Sequence, residues 1–328
     1  MTIENIYRDA LIHCYRFDGK GKGELLTSEI EQNSTPSTGF GWLHFDLNNS
    51  STIDWLNQHS QIDPVIAEAM VAEETRPRCV ISDKGILLIL RGVNLNPGQS
   101  ADDMISIRLW VEERRVISVR RRKLTSVQNL RDQIQRNQAP KSTPELVVDL
   151  TNHLTWHIGE TIERYEEQLS DLEDKMLNES DDSIRQDLQT IRRQLITLQR
   201  YLSPQKEAIN RLMTEKIDWL ETSQKQQLRE INDRLVRHLE DLAAMRERSV
   251  VVQQELSNHL AEKANTRVYL LSIITAIFLP LSFVTGLLGI NVGGLPGMEN
   301  PEAFWNVLWL LVISGVLQVI IMRWKHWL

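Results

Sequence analysis

An uncharged run near the C-terminus limits what this chain can fold into more than any other feature. Every residue of the range 268–290 is apolar, small or hydroxyl-bearing. A helix rises about 1.5 Å per residue, so this run is long enough to cross the hydrocarbon core of a bilayer. A second uncharged run occupies 303–322. We therefore predict two transmembrane helices, 268–290 and 303–322, joined by an external loop at 291–302.

The rest of the chain has the composition of a water-soluble body. Of its 328 residues 25% are charged, and the first ten contain no apolar core of a signal peptide. Cys14 and Cys79 lie in strand-like contexts, which indicates reduced core residues and a cytosolic body. The net charge of -7 disfavours nucleic-acid binding and favours attraction of cations.

Charges beside the two uncharged runs predict their orientation. Basic residues precede the first run and follow the second, whereas the only charged residues of the loop between them are Glu299 and Glu302. By the positive-inside rule, both termini are then cytoplasmic and the tail 323–328 returns to that side. The basic residues are Lys263, Arg267, Arg323 and Lys325.

Residues 1–125 predict a mixed α and β domain. Two segments, 53–59 and 64–72, have helical patterns, and Asp63 followed by Pro64 is a typical helix start. A hairpin turn is expected at 112–114. No glycine-rich phosphate loop follows a strand, so nucleotide binding is not supported. The strands are expected at 11–17, 42–46, 79–82, 86–90, 104–110 and 115–120, which are short runs rich in β-branched residues.

The pattern becomes helical from residue 126 onward. Residues 126–220 predict an antiparallel helical hairpin that breaks at 181–183, with Pro204 as a point of local weakness in its second helix. A third helix starts near residue 221 and shows no Pro or Gly until Pro280. We predict that a stalk helix, 221–267, continues into the first span.

One edge of this long helix carries small and polar side chains into the hydrocarbon region. Such a line of residues is typical of ordinary helix packing in lipid and also of a water-filled pore. Two spans cannot enclose a pore, so the second interpretation requires several copies around an axis. The residues, three or four positions apart, are Asn258, Ala261, Asn265, Val268, Ser272, Thr275, Leu279, Ser282 and Gly286.

Three segments carry a resemblance to a known family. They are Gly289-Ile290-Asn291 directly after the first span, Glu74-Thr75-Arg76-Pro77-Arg78, and the tail Trp324-Lys325-His326-Trp327-Leu328. In these features the sequence resembles the CorA-type divalent cation transporters, most closely their zinc-transporting branch. Ile290 stands where the CorA signature has methionine, and this departure favours zinc over magnesium.

The resemblance implies a transporter and not an enzyme. It implies a CorA-like fold, namely an α+β cytoplasmic domain (an α/β/α sandwich), a helical stalk and two C-terminal spans. A homopentamer in a bacterial inner membrane would take up Zn²⁺ together with protons. No resident cofactor is expected, although divalent cations could regulate the cytoplasmic funnel formed by the hairpins and stalks. Zinc efflux, channel-like passage of Mg²⁺, Co²⁺ or Ni²⁺, and a membrane-tethered scaffold or sensor are the alternatives.

The chemistry of the mouth follows from Asn291. Repeated around an axis, its amide oxygens would contact the water shell of a cation without trapping the ion as carboxylates do, while Gly289 permits the turn. Glu299 and Glu302 either concentrate cations at the mouth or are ordinary solvated loop charges. Deeper in the pore, rings of Leu279 and Leu271 are candidates for a dewetting gate, and Asn265 and Thr275 for polar rings.

Softer zinc ligands are scarce in the sequence. His153 and His157 lie four residues apart on a predicted helix, with Glu160 nearby, a spacing that suits a metal and also occurs on ordinary helix surfaces. His259 lies one step off the polar edge. Because the spans contain no Asp, Glu, His, Lys or Arg, coupling to protons would use water or groups in the funnel or mouth.

Overall fold

The computed structural model describes residues 7, 9–26, 36, 38–178, 182–290, 300–325 and 327. The elements in order are β1 (Leu11–Phe17), β2 (Gly23–Leu26), β3 (Phe40–Asp46), α1 (Ser50–Gln58), α2 (Pro64–Val71), β4 (Arg78–Ser82), β5 (Gly85–Gly92), β6 (Ile105–Val111), β7 (Arg115–Arg120), α3 (Thr125–Gln135), α4 (Thr143–Asn178), α5 (Asp182–Thr214), α6 (Thr222–Leu288) and α7 (Ala303–Trp324). The chain separates into two compact units, Met1–Gln253 and Gln254–Leu328, and α6 contributes to both.

The strands of the described residues form one sheet in the order β2-β1-β3-β7-β6-β5-β4. All neighbours are antiparallel except β3 and β7, which are parallel from Gly41 beside Arg115 to Asp46 beside Arg120. The predicted hairpin at 112–114 is confirmed, because Glu112 N donates to Arg115 O at 2.8 Å. Strand β2, which was not predicted from the sequence, is short and lies at the edge of the sheet beside β1.

Helices cover the first face of the sheet through an apolar core. Asp63 caps α2, since its side chain accepts a hydrogen bond from Val65 N at 2.9 Å, as the sequence predicted. Amphipathic α1 and α2 bury their apolar sides against alternating residues of the central strands. The core includes Leu43, Phe45, Trp55, Leu56, Met70, Ile89, Trp110 and Ile117.

The second face is covered by α3, α4 and α5. Gly92 of β5 makes the close approach possible, because a Cβ there would lie 2.6 Å from Leu154 and 2.9 Å from Leu124. A small apolar cavity between this face and the helices is lined by residues of β5, β6, α4, α5 and α6, among them Leu88, Val147, Leu212 and Leu228. The predicted α/β/α arrangement is therefore confirmed.

Helix α5 ends earlier than the sequence predicted, whereas α6 begins close to the predicted position. Helix α5 is continuous through Pro204 and ends at Thr214, before the predicted end at residue 220. The segment after it folds back, and Ile217 and Leu220 are buried there. Helix α6 begins at Thr222 and continues through Pro280 to Leu288. Its apolar stripe buries Leu228, Leu235 and Leu242.

Arg91 ties the segment 74–78 to the second face. Its guanidinium donates from Nη2 to Thr75 O at 2.8 Å and from Nη1 to Met104 O at 2.8 Å. The same group lies 4.1 Å from the centre of the Tyr201 ring on α5. Cation–π contact and hydrogen bonds thus join the loop, the sheet and the hairpin through one side chain.

Two buried histidines stack beside each other on the second face of the sheet. The rings of His13 and His44 are 4.8 Å apart, and 4% and 0% of these residues is exposed. His44 Nδ1 lies 2.7 Å from Ser118 Oγ, and this hydroxyl oxygen accepts a hydrogen bond from Trp42 Nε1 at 2.8 Å. Burial lowers the pKa of His13 to about 3. Burial and the neighbouring His13 together hold the pKa of His44 well below its usual range. Both rings are therefore neutral at neutral pH.

This pair predicts acid sensitivity of the unit Met1–Gln253. Both pKa values are lower in the folded than in the unfolded state, so their contribution to stability is complete above about pH 6.5 and is lost as the pH falls below it. Each neutral histidine is expected to cost up to about 1.4 kcal/mol per pH unit in that range. Substituting His13→Phe should flatten the loss of the unfolding free energy on acidification, measured by urea unfolding of the full chain in detergent. His259→Phe should not, because that side chain is 50% exposed.

Candidate functional site

The two apolar helices pack through one face each. In the unit Gln254–Leu328, the half-buried residues of α6 are spaced three or four apart, and Leu281 Cδ1 lies 3.9 Å from a Cβ built on Gly315 of α7. Small Gly315 lets the helices approach closely, as is common in lipid. The packed faces comprise Ile273, Ile277, Leu281 and Val284 of α6, and Val307, Leu311, Ser314, Gly315, Gln318 and Met322 of α7.

The polar edge of α6 lies on the other side of the helix. At about 100° per residue, Ser272, Thr275, Leu279, Ser282 and Gly286 centre about half a turn away from the packed face. These residues are exposed within the protomer. The polar edge is therefore not the contact between α6 and α7, which was the simplest form of the packing interpretation.

Hydroxyl groups along this edge use their protons within the helix. Ser272 Oγ donates to Val268 O at 2.9 Å and Thr275 Oγ1 donates to Leu271 O at 2.8 Å. Each oxygen keeps its lone pairs for an outside partner. The edge thus presents hydrogen-bond acceptors, which suit the water shell of a cation.

The end of α6 leaves room beside the polar edge. A Cβ built on Gly286 would meet no other atom within 4 Å. Gly289 N donates to Thr285 O at 3.0 Å, and a Cβ at Gly289 would lie 3.1 Å from the same oxygen. Ile290 is 47% exposed. Two predicted mouth residues, Asn291 and Glu299, lie outside the described part of the chain.

The remaining predicted site residues are placed as follows. Leu271 and Leu279 are 65% and 68% exposed, so the protomer leaves both free to contact another copy. Asn265 lines a shallow groove on α6 together with Glu262 and Ser272. Asn258 accepts a hydrogen bond from Gln254 Nε2 at 3.2 Å. Glu302 precedes α7 and does not cap it through its side chain.

The two candidate histidines of α4 have amide partners on α3. His157 Nε2 lies 2.9 Å from Asn129 Nδ2 and its Nδ1 lies 2.9 Å from Glu160 Oε2, whereas His153 Nε2 lies 3.3 Å from Gln133 Oε1. His259 Nδ1 is 3.9 Å from Glu262. Among the described residues, no three or more His, Cys, Asp or Glu side chains are grouped so that they could hold a metal ion.

A contact between the start of the first apolar run and the C-terminal tail was not predicted from the sequence. The Tyr269 hydroxyl of α6 donates to the backbone carbonyl of Trp327, beyond the end of α7. Lys325 Nζ lies 5.6 Å from the centre of the Trp327 ring. Tyr269 was the only clue in the sequence, since its hydroxyl stands at the start of an apolar run and needs a partner there.

Fold and helix faces together define a class: a membrane protein with an α/β/α domain, a long helix that continues into an apolar span, and a short second span. A protein-family model described as CorA-like Mg2+ transporter protein matches residues 37–324. The chain belongs to this family of ion transporters, and it is therefore a membrane transporter and not an enzyme.

Several known proteins are similar over almost the whole chain. The divalent cation transporter CmaX of Pseudomonas aeruginosa is 38% identical over 309 residues, covering 93% of this chain and 92% of that protein. The zinc transport protein ZntB of Pectobacterium carotovorum is 33% identical over 310 residues, covering 94% of each. The structure of full-length CmaX gives a TM-score of 0.84 at 35% identity, over 97% of this chain and 98% of that chain.

A more distant structure shares the same fold. The complete structure of the CorA magnesium transporter from Methanocaldococcus jannaschii gives a TM-score of 0.83 at 18% identity, over 97% of this chain and 99% of that chain. The α/β/α domain, the long helix and the two C-terminal helices thus form a CorA-like fold, as the sequence predicted.

Proposed function

We propose that this chain forms a homopentamer that takes up Zn²⁺ across a bacterial inner membrane together with protons. The observation that carries the proposal is the acceptor-rich edge of α6, which faces away from α7. Its free lone pairs suit water or a polar partner better than lipid, and small polar residues are favoured at helix contacts and along water-filled pores. Copies of α6 around one axis supply that partner and enclose water.

Zinc is favoured among the divalent cations by two observations. Ile290 replaces the methionine of the CorA signature, and the relative ZntB is named a zinc transport protein. The name of CmaX is broader, and the family model is named for Mg²⁺. Zinc efflux and channel-like passage of Mg²⁺, Co²⁺ or Ni²⁺ are therefore the competing functions.

A competition experiment separates these functions. Proteoliposomes that contain the full chain and a trapped zinc indicator should accumulate Zn²⁺, faster when the outside is more acidic. Excess Cd²⁺ should compete more strongly than Mg²⁺, because the softer cation resembles Zn²⁺. Uptake that does not depend on the pH gradient would exclude coupling to protons. Stronger competition by Mg²⁺ than by Cd²⁺ would assign the chain to the magnesium transporters.

Cysteine labelling tests which side of α6 meets water. Burial raises the pKa of Cys14 to about 11 and of Cys79 to about 12, so the native thiols should react slowly and give a low background. We expect Ser282→Cys to react with a membrane-impermeant thiol reagent and the reaction to block zinc uptake.

Ile313→Cys is the matched control for this labelling. Because Leu281 contacts Gly315, residues 282 and 313 lie at similar depth, but Ile313 is 63% exposed on the side of α7 that faces away from α6. Its thiol should not react if it faces lipid. Equal reactivity at the two positions, or labelling of Ser282→Cys without loss of uptake, would contradict the pore.

A further inference from the structure

Helix α6 meets α4 at a glycine within the unit Met1–Gln253. A Cβ built on Gly159 would lie 3.0 Å from His238 Cε1 and 3.1 Å from His238 Nε2. The edge of the imidazole therefore lies next to the position that the Cβ of a larger residue at 159 would occupy. The His238 side chain is only 20% exposed, so α4 and α6 enclose most of the ring.

Charged groups surround this contact on both helices. On α6, Asp241 Oδ2 lies 4.0 Å from His238 Nδ1, and Arg234 and Arg237 are the nearby cations; on α4 the nearby charge is Glu163. Burial lowers the pKa of His238 and outweighs Asp241, while the two arginines add to the lowering. The ring is therefore neutral where it packs on Gly159.

A second contact holds the same stretch of the two helices together. Arg234 Nη2 donates to Asn152 Oδ1 of α4, about two turns before the glycine contact. Leu235 is fully buried between these two positions. The region around His238 is thus a packed interface in which one titratable ring occupies a close-fitting place.

We propose that His238 makes the contact between α4 and α6 responsive to protons, so that protonation of its ring releases α6 from Gly159. The imidazolium carries an N–H on both nitrogens, and each needs water or an acceptor. The Cε1–Nε2 edge lies against Gly159, and Nδ1 lies 4.0 Å from Asp241 Oδ2, too far for a hydrogen bond. The charged ring therefore leaves this position toward solvent or the carboxylates of Asp241 and Glu163.

The link to transport rests on the proposed function. Helix α6 continues from this contact to the polar edge, so a change at His238 acts on the helix that forms the proposed pore. The spans themselves contain no Asp, Glu, His, Lys or Arg. A responsive contact in the soluble unit lets proton concentration on that side of the membrane influence the transporter.

Amide hydrogen exchange of the full chain in detergent tests the contact without any transport assay. After correction for the intrinsic pH dependence, exchange in residues 230–242 and 152–163 of the wild type should rise severalfold between about pH 8 and about pH 5. The variant His238→Gln should lose this rise. Gly159→Ala should show raised exchange already at neutral pH, because the added Cβ displaces the ring.

The control is His259→Gln, which replaces an exposed histidine of the same helix and should keep the rise. A wild type without pH-dependent exchange, or a His238→Gln variant that keeps it, would overturn the proposal. Zinc uptake is then measured against the pH on the side of the soluble unit. His238→Gln should lose the dependence that the wild type shows, and retention of the full dependence would overturn the link to transport. If the wild type shows the exchange response but transports no cation, the proposed function alone is refuted.

Discussion

Replacing Asn291 by alanine is expected to abolish zinc uptake while the protein still assembles. A ring of amide oxygens lowers the energy of a cation that enters with part of its water shell, and alanine offers no oxygen in its place. We expect uptake to fall by about tenfold or more, which corresponds to at least about 1.4 kcal/mol of lost stabilisation of the ion at the mouth. The measurement is initial zinc uptake into proteoliposomes, normalised to the amount of oligomer found by size-exclusion chromatography with light scattering.

Asn306→Ala is the matched control for this substitution. Asn306 stands in the first turn of α7, on the same side of the predicted membrane, and its side chain is exposed away from α6. It should leave uptake unchanged. Unchanged uptake in Asn291→Ala would remove the amide ring from the mechanism, whereas loss of the oligomer would show that the residue serves assembly.

Substituting Gly39→Ala is expected to destabilise the α/β/α domain severely. Gly39 has a φ of 73°, and a Cβ there would lie 1.8 Å from the carbonyl oxygen of Phe17. That oxygen belongs to the backbone at the end of β1 and cannot move without breaking the β1–β3 pairing. We expect a loss of more than about 3 kcal/mol in the free energy of unfolding, measured by urea unfolding.

Gly98→Ala provides a control with the same backbone strain and no collision. Its φ is 74°, but a Cβ built there meets no atom within 4 Å. The expected cost is the left-handed strain alone, about 1–2 kcal/mol. Equal losses in the two variants would mean that the backbone conformation, and not the contact with Phe17, sets the cost at position 39.

Local patterns in the sequence predicted much of the architecture. The Asp63 cap, the hairpin at 112–114 and the two apolar runs each depend on residues that lie close together in the chain, so short-range rules are sufficient. Strand β2 was missed because the four residues Gly23–Leu26 give too short a pattern for a reliable period.

Contacts between distant segments could not be predicted in this way. The parallel pairing of β3 with β7 joins residues about seventy positions apart, and no local pattern specifies it. His153 and His157 were considered a chelating pair from their spacing. Their amide partners, Gln133 and Asn129, come from α3, and only the packing of α3 on α4 reveals them.

The sequence also did not predict whether the polar edge of α6 faces α7 or faces away from it. Periodicity identified the edge but left packing against α7 and lining of a pore equally open. The faces are separated only when α7 is placed, because Gly315 fixes which side of α6 it meets. The residues at 291–299 are a different case, since their role depends on the sequence alone.

The parallel pairing of β3 with β7 has a consequence for biosynthesis. The sheet is complete once residue 120 has left the ribosome and the helices on its second face once residue 214 has, whereas the first apolar run begins only at residue 268. At about 5–20 residues per second, the interval between residues 214 and 268 lasts on the order of several seconds, long enough for most small domains to fold. The translocation machinery would then receive its first hydrophobic segment attached to a folded domain, which cannot be threaded through a narrow channel. The order of synthesis alone thus favours retention of that domain on the side where it was made.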